Sequence, residues 1–542
     1  MASIFDEWTI EDAKIAVKLP PDEAKDLESY VKFVKGDHWQ GWAGWIGPVP
    51  DPKDIDAKEV SAAIEKGFVS RNAIGEGIGR HVNGVLGRNV KWSVVPAREM
   101  AQGEQPTGDE KTLIDEITPL LKKWVAARKL NQEYDKAGQT LLVAGSAFER
   151  PFVPPGEIGQ DGTIPQGDLA TSINRVYIHF PKPGEATIYT DPRTQAKCSV
   201  YYYRQMNGSR PSQTKNQQRE ERAELTYLDG EQTVVRVLGP GNPGDDGGPL
   251  RYTFGLGSRL LMADLNRKPL VNPQVVSQQK LLNLALTMKE RNVILGGFLE
   301  RVAINAQMNG NFETQPDGRK VFVPSELPVG AGAMTSLVGY VTQDEDGKQS
   351  ITTPSMLWRE PVDVKTFLDT EDSSYRHIMA EMNQLHYAAS SDSGISAESR
   401  LVSMAAYLID LLQTKQQIDA AWSWLLEMVM ALAAILSGQP GRYDMLRVSA
   451  ECSVDPGPIS VEMMQAAMQL TGGKPLLSVK TAQGWIGVED TDGESQQMAK
   501  ETEEAAATDN QNEAAVRALL GDNQPLGNDQ PPGANGNSAA ES

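Results

Sequence analysis

Five histidines, two cysteines and one short glycine run are the residues of this sequence whose chemistry could define a site. The histidines (His38, His81, His179, His377, His386) are scattered. Only His377 and His386 fall on one expected helix, and at about 1.5 Å per residue they stand roughly 13.5 Å apart, too far to share a metal. Cys198 and Cys452 form no CxxC pair, so neither a disulfide framework nor a cysteine zinc site is predicted, and a reducing compartment fits. Gly75-Glu-Gly-Ile-Gly lacks the GxGxxG spacing and sits inside an apolar helical stripe. It reads as close helix packing rather than a phosphate cradle. No GxxxxGK[ST], HExxH or GxSxG occurs, which removes the Walker loop, the zincin helix and the commonest serine-hydrolase elbow. Asp344-Glu-Asp-Gly and Asp490-Thr-Asp-Gly-Glu lack the full ligand spacing of a calcium loop and read as turns. The sequence therefore predicts no enzyme, no catalytic residue, no metal and no cofactor.

Charge and length bound what remains. The 542 residues carry 52 Lys plus Arg against 72 Asp plus Glu, a net charge of −20. Indiscriminate DNA binding needs a surplus of cations to displace phosphate counterions, so bulk charge excludes it. Residues 489–542 hold twelve acids against Lys500 and Arg517, a net of −10, and are rich in Asn, Gln, Ala, Gly and Pro. Such a stretch has too little apolar surface to order itself, and a disordered acidic tail is expected. The chain opens on Met-Ala-Ser-Ile-Phe-Asp-Glu, without a basic start or an apolar run, so no secretory signal is expected. The most apolar run, 425–436, is interrupted by Glu427 and is shorter than the ~20 residues a bilayer needs. A buried helix and no membrane partner are expected.

The elements that must position any site follow from periodicity. Residues 22–34 place Leu27, Tyr30, Val31 and Val34 on one helical stripe behind Pro20-Pro21. A loop with Trp39, Trp42 and Trp45 follows, reading as packing onto the protein's own core, with DNA stacking or an interface as the competing role. Ile64, Phe68, Ile74, Ile78, Val82 and Val85 then recur at near-helical spacing. Two amphipathic helices are expected within 113–142. Alternating strands are expected at 146–153, 176–180, 186–189, 198–204, 223–227 and 233–238. A helix is predicted over 273–292, short strands and loops over 293–369, and a helix over 373–387. After a break at 388–395, one long helix runs over 396–436. Trp422, Leu425, Met428 and Leu432 on it read as core rather than interface.

The order of these blocks resembles the portal proteins of tailed bacteriophages. The opening stretches are Tyr30-Val-Lys-Phe-Val-Lys-Gly-Asp-His-Trp, Phe68-Val-Ser-Arg-Asn-Ala-Ile and Val82-Asn-Gly-Val-Leu-Gly-Arg-Asn-Val. They are similar to the helices and strand entry that open many portals, although Asn89 stands where many have Pro. Ala137-Gly-Gln-Thr-Leu-Leu-Val-Ala-Gly-Ser-Ala-Phe-Glu resembles the helix-to-strand step before the wing sheet. Val176-Tyr-Ile-His-Phe-Pro-Lys-Pro-Gly-Glu-Ala-Thr-Ile-Tyr-Thr-Asp is similar to a portal hairpin. Ser391-Asp-Ser-Gly-Ile-Ser-Ala-Glu-Ser-Arg resembles the entry to the long helix after the tunnel loop. The likeness covers about residues 25–490.

The resemblance implies an α+β fold of portal architecture. Its wing would span 1–265, with a stem helix at 266–292, a small β-containing clip at 293–369 and a second stem helix at 370–387. A tunnel loop at 388–395 (Ser390, Ser391, Asp392, Ser393, Gly394) would face the DNA channel. The long wing helix would be 396–436, a helical crown 437–488, and the acidic tail 489–542. The family's members are homo-oligomeric rings, typically of twelve subunits, at one capsid vertex. Double-stranded DNA passes through them without sequence specificity. The implied partners are the terminase, the major capsid or scaffold protein, and head-completion or adaptor proteins. The implied location is the virion, with host cytoplasm during assembly. Two other classes compete: another virion structural protein, such as a minor head or tail-tube component, or a cytoplasmic enzyme binding a small anion at the Gly75 to Arg80 turn.

Overall fold

The computed structural model describes residues 3–38, 67–100, 104–159, 161–206, 219–240, 249–297, 301–307, 310–316, 318–324, 338–339, 341–343, 347, 349–358, 363–388, 397–454 and 500. The chain divides into two compact units, 1–457 and 458–542. Of the second, only Lys500 is among the described residues. The first is a mixed α+β unit.

Three small helices open it. Thr9 caps α1 (Ile10–Val17) through a reciprocal bond with Asp12. Pro21 starts α2 (Pro21–Lys35), which ends at Gly36 with φ 87°, a left-handed stop that suits glycine. Asn72 caps α3 (Ala73–Leu86) by accepting from the Gly75 amide at 2.8 Å. The Asn72 cap fixes the start of α3 at Ala73, so Phe68 lies in the extended segment before it, while Ile64 lies outside the described residues. Strand β1 (Lys91–Pro96) follows, then α4 (Gly108–Ala127), opened by a Thr107–Glu110 capping box, and α5 (Leu130–Ala144).

Two sheets form next. Strands β2 (Ser146–Phe152), β3 (Tyr177–His179) and β9 (Ala263–Asn266) make a three-stranded antiparallel sheet in the order β3-β2-β9, with the short α6 (Leu169–Asn174) between β2 and β3. Strands β4 (Ala186–Thr190), β5 (Lys197–Met206), β6 (Arg219–Asp229), β7 (Gln232–Leu238) and β8 (Leu250–Phe254) form a five-stranded antiparallel meander. Its alternation separates two faces. Cys198, Val200, Leu225, Tyr227 and Val234 are buried beneath Phe5, Ala13 and Val17. On the opposite face the register aligns Tyr201, Glu224, Val237 and Leu250 across four strands.

Helix α7 (Pro273–Gly297) runs beyond the expected end at residue 292. Val293-Ile-Leu, read as a strand from its β-branched residues, continues the helix. Strand propensity is weak against a helix already propagating. Among the described residues eight short strands come after it as four antiparallel two-stranded ladders: β10 (Arg301–Ile304) with β17 (Ser355–Trp358), β11 (Ala306–Gln307) with β14 (Val338–Gly339), β12 (Gly310–Thr314) with β13 (Lys320–Pro324), and β15 (Val341–Gln343) with β16 (Gln349–Ile351). Helix α8 (Val364–Glu381) packs along α7, with Lys289 paired to Glu371.

The helix expected over 370–387 starts earlier, where Asp363 caps Lys365, and stops earlier. Asn383 takes a left-handed φ of 58°, a conformation Asn tolerates better than most residues, and α9 (Leu385–Ala388) begins afresh. His377 and His386 therefore lie on different helices.

Helix α10 (Ala397–Leu436) carries the core. By length and composition it could cross a bilayer, yet Trp422, Leu425, Val429, Leu432 and Leu436 are fully buried on a helix that packs against α3, α6, β2, β9 and the strand at Leu446–Glu451, with Tyr134 of α5 stacked on Trp422. Each such side chain contributes on the order of 1.5–3 kcal/mol. Past it, β18 (Leu446–Glu451) pairs antiparallel with β1, Lys91 opposite Glu451. Residues 446–451 are therefore a strand of the first unit, not the start of a helical crown. The reason is non-local: Val448 and Leu446 find their apolar partners on β1 and α10. The rest of the expected crown and the tail lie outside the described residues.

Candidate functional site

The loop expected to meet DNA, Ser390 to Gly394, lies outside the described residues, as do Trp39, Trp42 and Trp45. Its anchor is described. Before it, Ala388 is buried, and His386, Tyr387 and Tyr407 form an aromatic cluster: His386–Tyr387 4.2 Å and His386–Tyr407 5.1 Å between ring centroids. Arg80 lies 4.3 Å over the Tyr387 ring. Among the described residues neither ring nitrogen of His386 has a hydrogen-bond partner. Burial, with Arg80 nearby, pushes its pKa down to about 4. The imidazole is neutral at pH 7 and acts as a flat packing element at the root of the loop.

Behind this anchor is a closed polar junction. His81 of α3, Arg267 of the β9–α7 connection, and Asp410 and Thr414 of α10 meet with little solvent contact. Arg267 donates from Nη2 to Asp410 Oδ1 at 2.8 Å and from Nη1 to Thr414 Oγ1. His81 Nε2 lies 3.0 Å from Arg267 Nη1 and 2.8 Å from Thr414 Oγ1. A guanidinium only donates, so Nε2 accepts and the ring proton sits on Nδ1, 3.7 Å from Asp410 Oδ2. Desolvation and the adjacent Arg267 charge depress His81 to about 3. Three segments far apart in sequence are pinned by one cation.

A second polar device serves α7. Gln279, Asn283 and Thr287, spaced four apart, are buried on one face. They hydrogen-bond the backbone of the extended segment before α3: Thr287 with Val69 N at 3.1 Å, Asn283 with Arg71 N at 3.3 Å, and Gln279 with Arg71 O at 2.6 Å and Ile74 N at 3.2 Å. Asn283 also meets His38 Nδ1 at 2.9 Å. A helix face that pattern counting scores as polar is thus an interior face, and the amides an anion would need at the α3 N-terminus are already taken.

The glycine run has its own structural use. A Cβ on Gly75 would come within 2.7 Å of Val34 O, and one on Gly77 within 2.7 Å of Met382. Arg80 pairs with Glu76, and Arg71 stacks 3.9 Å over Tyr375. The glycines let α3 approach its neighbours closely, and Gly75 to Arg80 presents no open phosphate cradle.

A concave site lies on the aromatic face of the meander, where β2, β3 and the 154–158 loop cover it incompletely. It is a cleft of about 760 Å³, inside the ~300–1,000 Å³ range of small-ligand pockets. At its floor Arg150 of β2 donates from Nε to Glu224 Oε1 at 2.9 Å and from Nη2 to Oε2, both side chains nearly fully buried. The guanidinium lies 4.4 Å from the Phe152 ring centre and 4.7 Å from that of Tyr201. Tyr201 stacks on Tyr203 at 5.0 Å and 13°. Burial pushes the Tyr201 hydroxyl up to about 12 and, with Arg150, lowers His179. Glu149, on the other face of β2, accepts from Tyr134 and is raised by burial to about 8.

None of these polar sites stood out in the sequence. The bonds that assemble the cleft and the junction reach across 74 residues from Arg150 to Glu224 and across 333 from His81 to Thr414. The one local signal was Glu149-Arg150 inside a strand with apolar neighbours on both sides. Among the described residues no group of three His, Cys, Asp or Glu could hold a metal. Neither a family model nor a curated protein matches the chain.

Proposed function

We propose that this chain is the subunit of a phage portal: a ring of about twelve copies at one capsid vertex, through which double-stranded DNA is packaged and ejected. The observation that carries the reading is the succession of α7, the β10–β17 segment, α8 and the 40-residue α10 after a helix-plus-meander region. Helices α7 and α8 lie side by side, and the β10–β17 ladder closes the segment between them. Such a helical pair can line a channel while its β end meets other proteins. On this reading the terminase supplies the packaging energy, and head-completion proteins dock later. The net charge of −20 suits passage, because an acidic lumen repels phosphates and lets the duplex slide.

Twelve chains of 59.1 kDa make about 709 kDa. Negative-stain microscopy and a mass measurement of the purified protein test this. Rings with a central hole near that mass are expected; a stable monomer at every salt concentration, with no rings in assembled particles, overturns the reading. The loop adds a finer test. Lysines at Ser390, Ser391 and Asp392 should leave rings intact and slow packaging at low salt, where the added phosphate attraction is least screened. Normal low-salt packaging by that variant means the loop does not touch passing DNA.

A further inference from the structure

We propose that the cleft on the aromatic face of the meander is a binding site for a planar aromatic group bearing an acceptor oxygen, an aromatic carboxylate being its strongest form. Three observations converge there. The first is the unbroken stack of Phe152, Arg150, Tyr201 and Tyr203, which builds a rigid aromatic wall. Stacked rings favour a further flat partner over a bulky aliphatic one. The wall is fixed from behind, since Glu224 holds Arg150 by two bonds and leaves it no freedom to swing away.

The second is Arg222, which the register places opposite Tyr203 on the same face. Its Nη2 bonds Glu220 Oε2 at 3.1 Å, whereas its Nε is buried and has no partner among the described residues. The Arg222 side chain is 22% exposed and lines the cleft, so a small rotation would bring this N–H to a ligand oxygen and recover the cost of leaving it without an acceptor. A carboxylate does so best, because a charge-assisted bond is roughly twice as strong as a neutral one. The third is the remaining lining: Pro154, Ile158, Ile178, Val237 and Leu250 offer apolar surface for a ring. Among the described lining residues two arginines, Arg150 and Arg222, accompany one carboxylate, Glu224, so the wall does not repel an anion. The site is separate from the loop and helices on which the channel reading depends.

The test is calorimetric titration of the full-length protein with 2-naphthoate, 2-naphthamide and the saturated decalin-2-carboxylate. Saturable binding is expected in the order naphthoate, naphthamide, decalin carboxylate. Arg222→Gln should weaken naphthoate about tenfold and Tyr203→Leu about fivefold. Each variant's melting temperature is measured alongside, and if Tyr203→Leu fails to fold, Tyr203→Phe must then retain naphthoate binding. The proposal is overturned by the absence of saturable naphthoate binding. It is equally overturned by decalin carboxylate binding as tightly as naphthoate, or by folded Arg222→Gln binding unchanged. None of these outcomes bears on ring formation, so failure here leaves the portal reading where it stands.

Discussion

The protein buries arginine in two places and treats the charge in opposite ways. At the helical junction, Arg267 is enclosed by His81, Asp410 and Thr414, and these three contacts tie its segment to α3 and α10. On the meander, Arg150 is equally buried and paired with Glu224, but it forms the wall of a cleft, and Arg222 beside it keeps an unused donor. The junction directs its arginine's bonds to joining segments of the chain, although His81 Nδ1 and Asp410 Oδ2 stand 3.7 Å apart without a hydrogen bond among the described residues. The meander pair instead borders a space that a ligand can enter.

The largest expected effect breaks the closed site. Asp410→Ala should destabilise the protein by about 3–5 kcal/mol, because it strands a buried guanidinium. The double variant Arg267→Met, Asp410→Leu should recover most of that loss, as read from urea midpoints. A single-variant cost under about 1 kcal/mol would show that water reaches Arg267 and that the junction is not closed.

The open site should respond less. Glu224→Gln keeps one acceptor for Arg150, so a loss of about 1–3 kcal/mol is expected. An equal or larger loss than Asp410→Ala would erase the distinction between the two sites.

Glu149, back to back with Arg150 on β2, sharpens the contrast through pH. Its pKa is raised in the fold to about 8 from an ordinary 4.5. Between those values the folded state holds a proton that the unfolded state has lost. Its contribution is therefore complete below about pH 4.5 and is lost as pH rises through 8. Glu149→Gln, a permanent mimic of the protonated acid, should flatten the stability profile between pH 5 and 8. A parent profile already flat across that window would place the Glu149 carboxylate in contact with water.

The smallest effect concerns the loop anchor. His386 is depressed to about 4 from an ordinary 6.5. The unfolded chain takes up its proton first as pH falls, so stability present above 6.5 is lost progressively towards 4. His386→Phe, keeping a ring between Tyr387 and Tyr407, should remove part of that acid-side loss. His81, lowered to about 3, supplies a remaining part. An unchanged acid limb in His386→Phe would mean that His386 is hydrated when folded.

Local pattern made the elements legible. Alternation placed the strands β2 to β7, Pro273 with its apolar repeat opened α7, and the unbroken repeat after residue 396 marked α10. Each signal comes from periods of two or 3.6 residues and needs no knowledge of what lies opposite. The exceptions were equally physical. Val293-Ile-Leu reads as strand and is helix, and residues 446–451 pair with a strand some 350 positions earlier, which no local window contains.

What the sequence by itself determined is therefore strands β2 to β7, the main helices, the burial of Trp422 and Leu425, and the packing use of the glycines at Gly75 and Gly77. Only the tertiary structure decided which polar residues meet. His81, Arg267 and Asp410 look like ordinary surface residues one at a time, and so do Arg150, Arg222 and Glu224. A buried polar group is tolerated only where its partners arrive from elsewhere in the chain. Chain crossings brought one arginine into a sealed junction and another to the wall of a cleft, and no spacing rule along 542 residues encodes that difference.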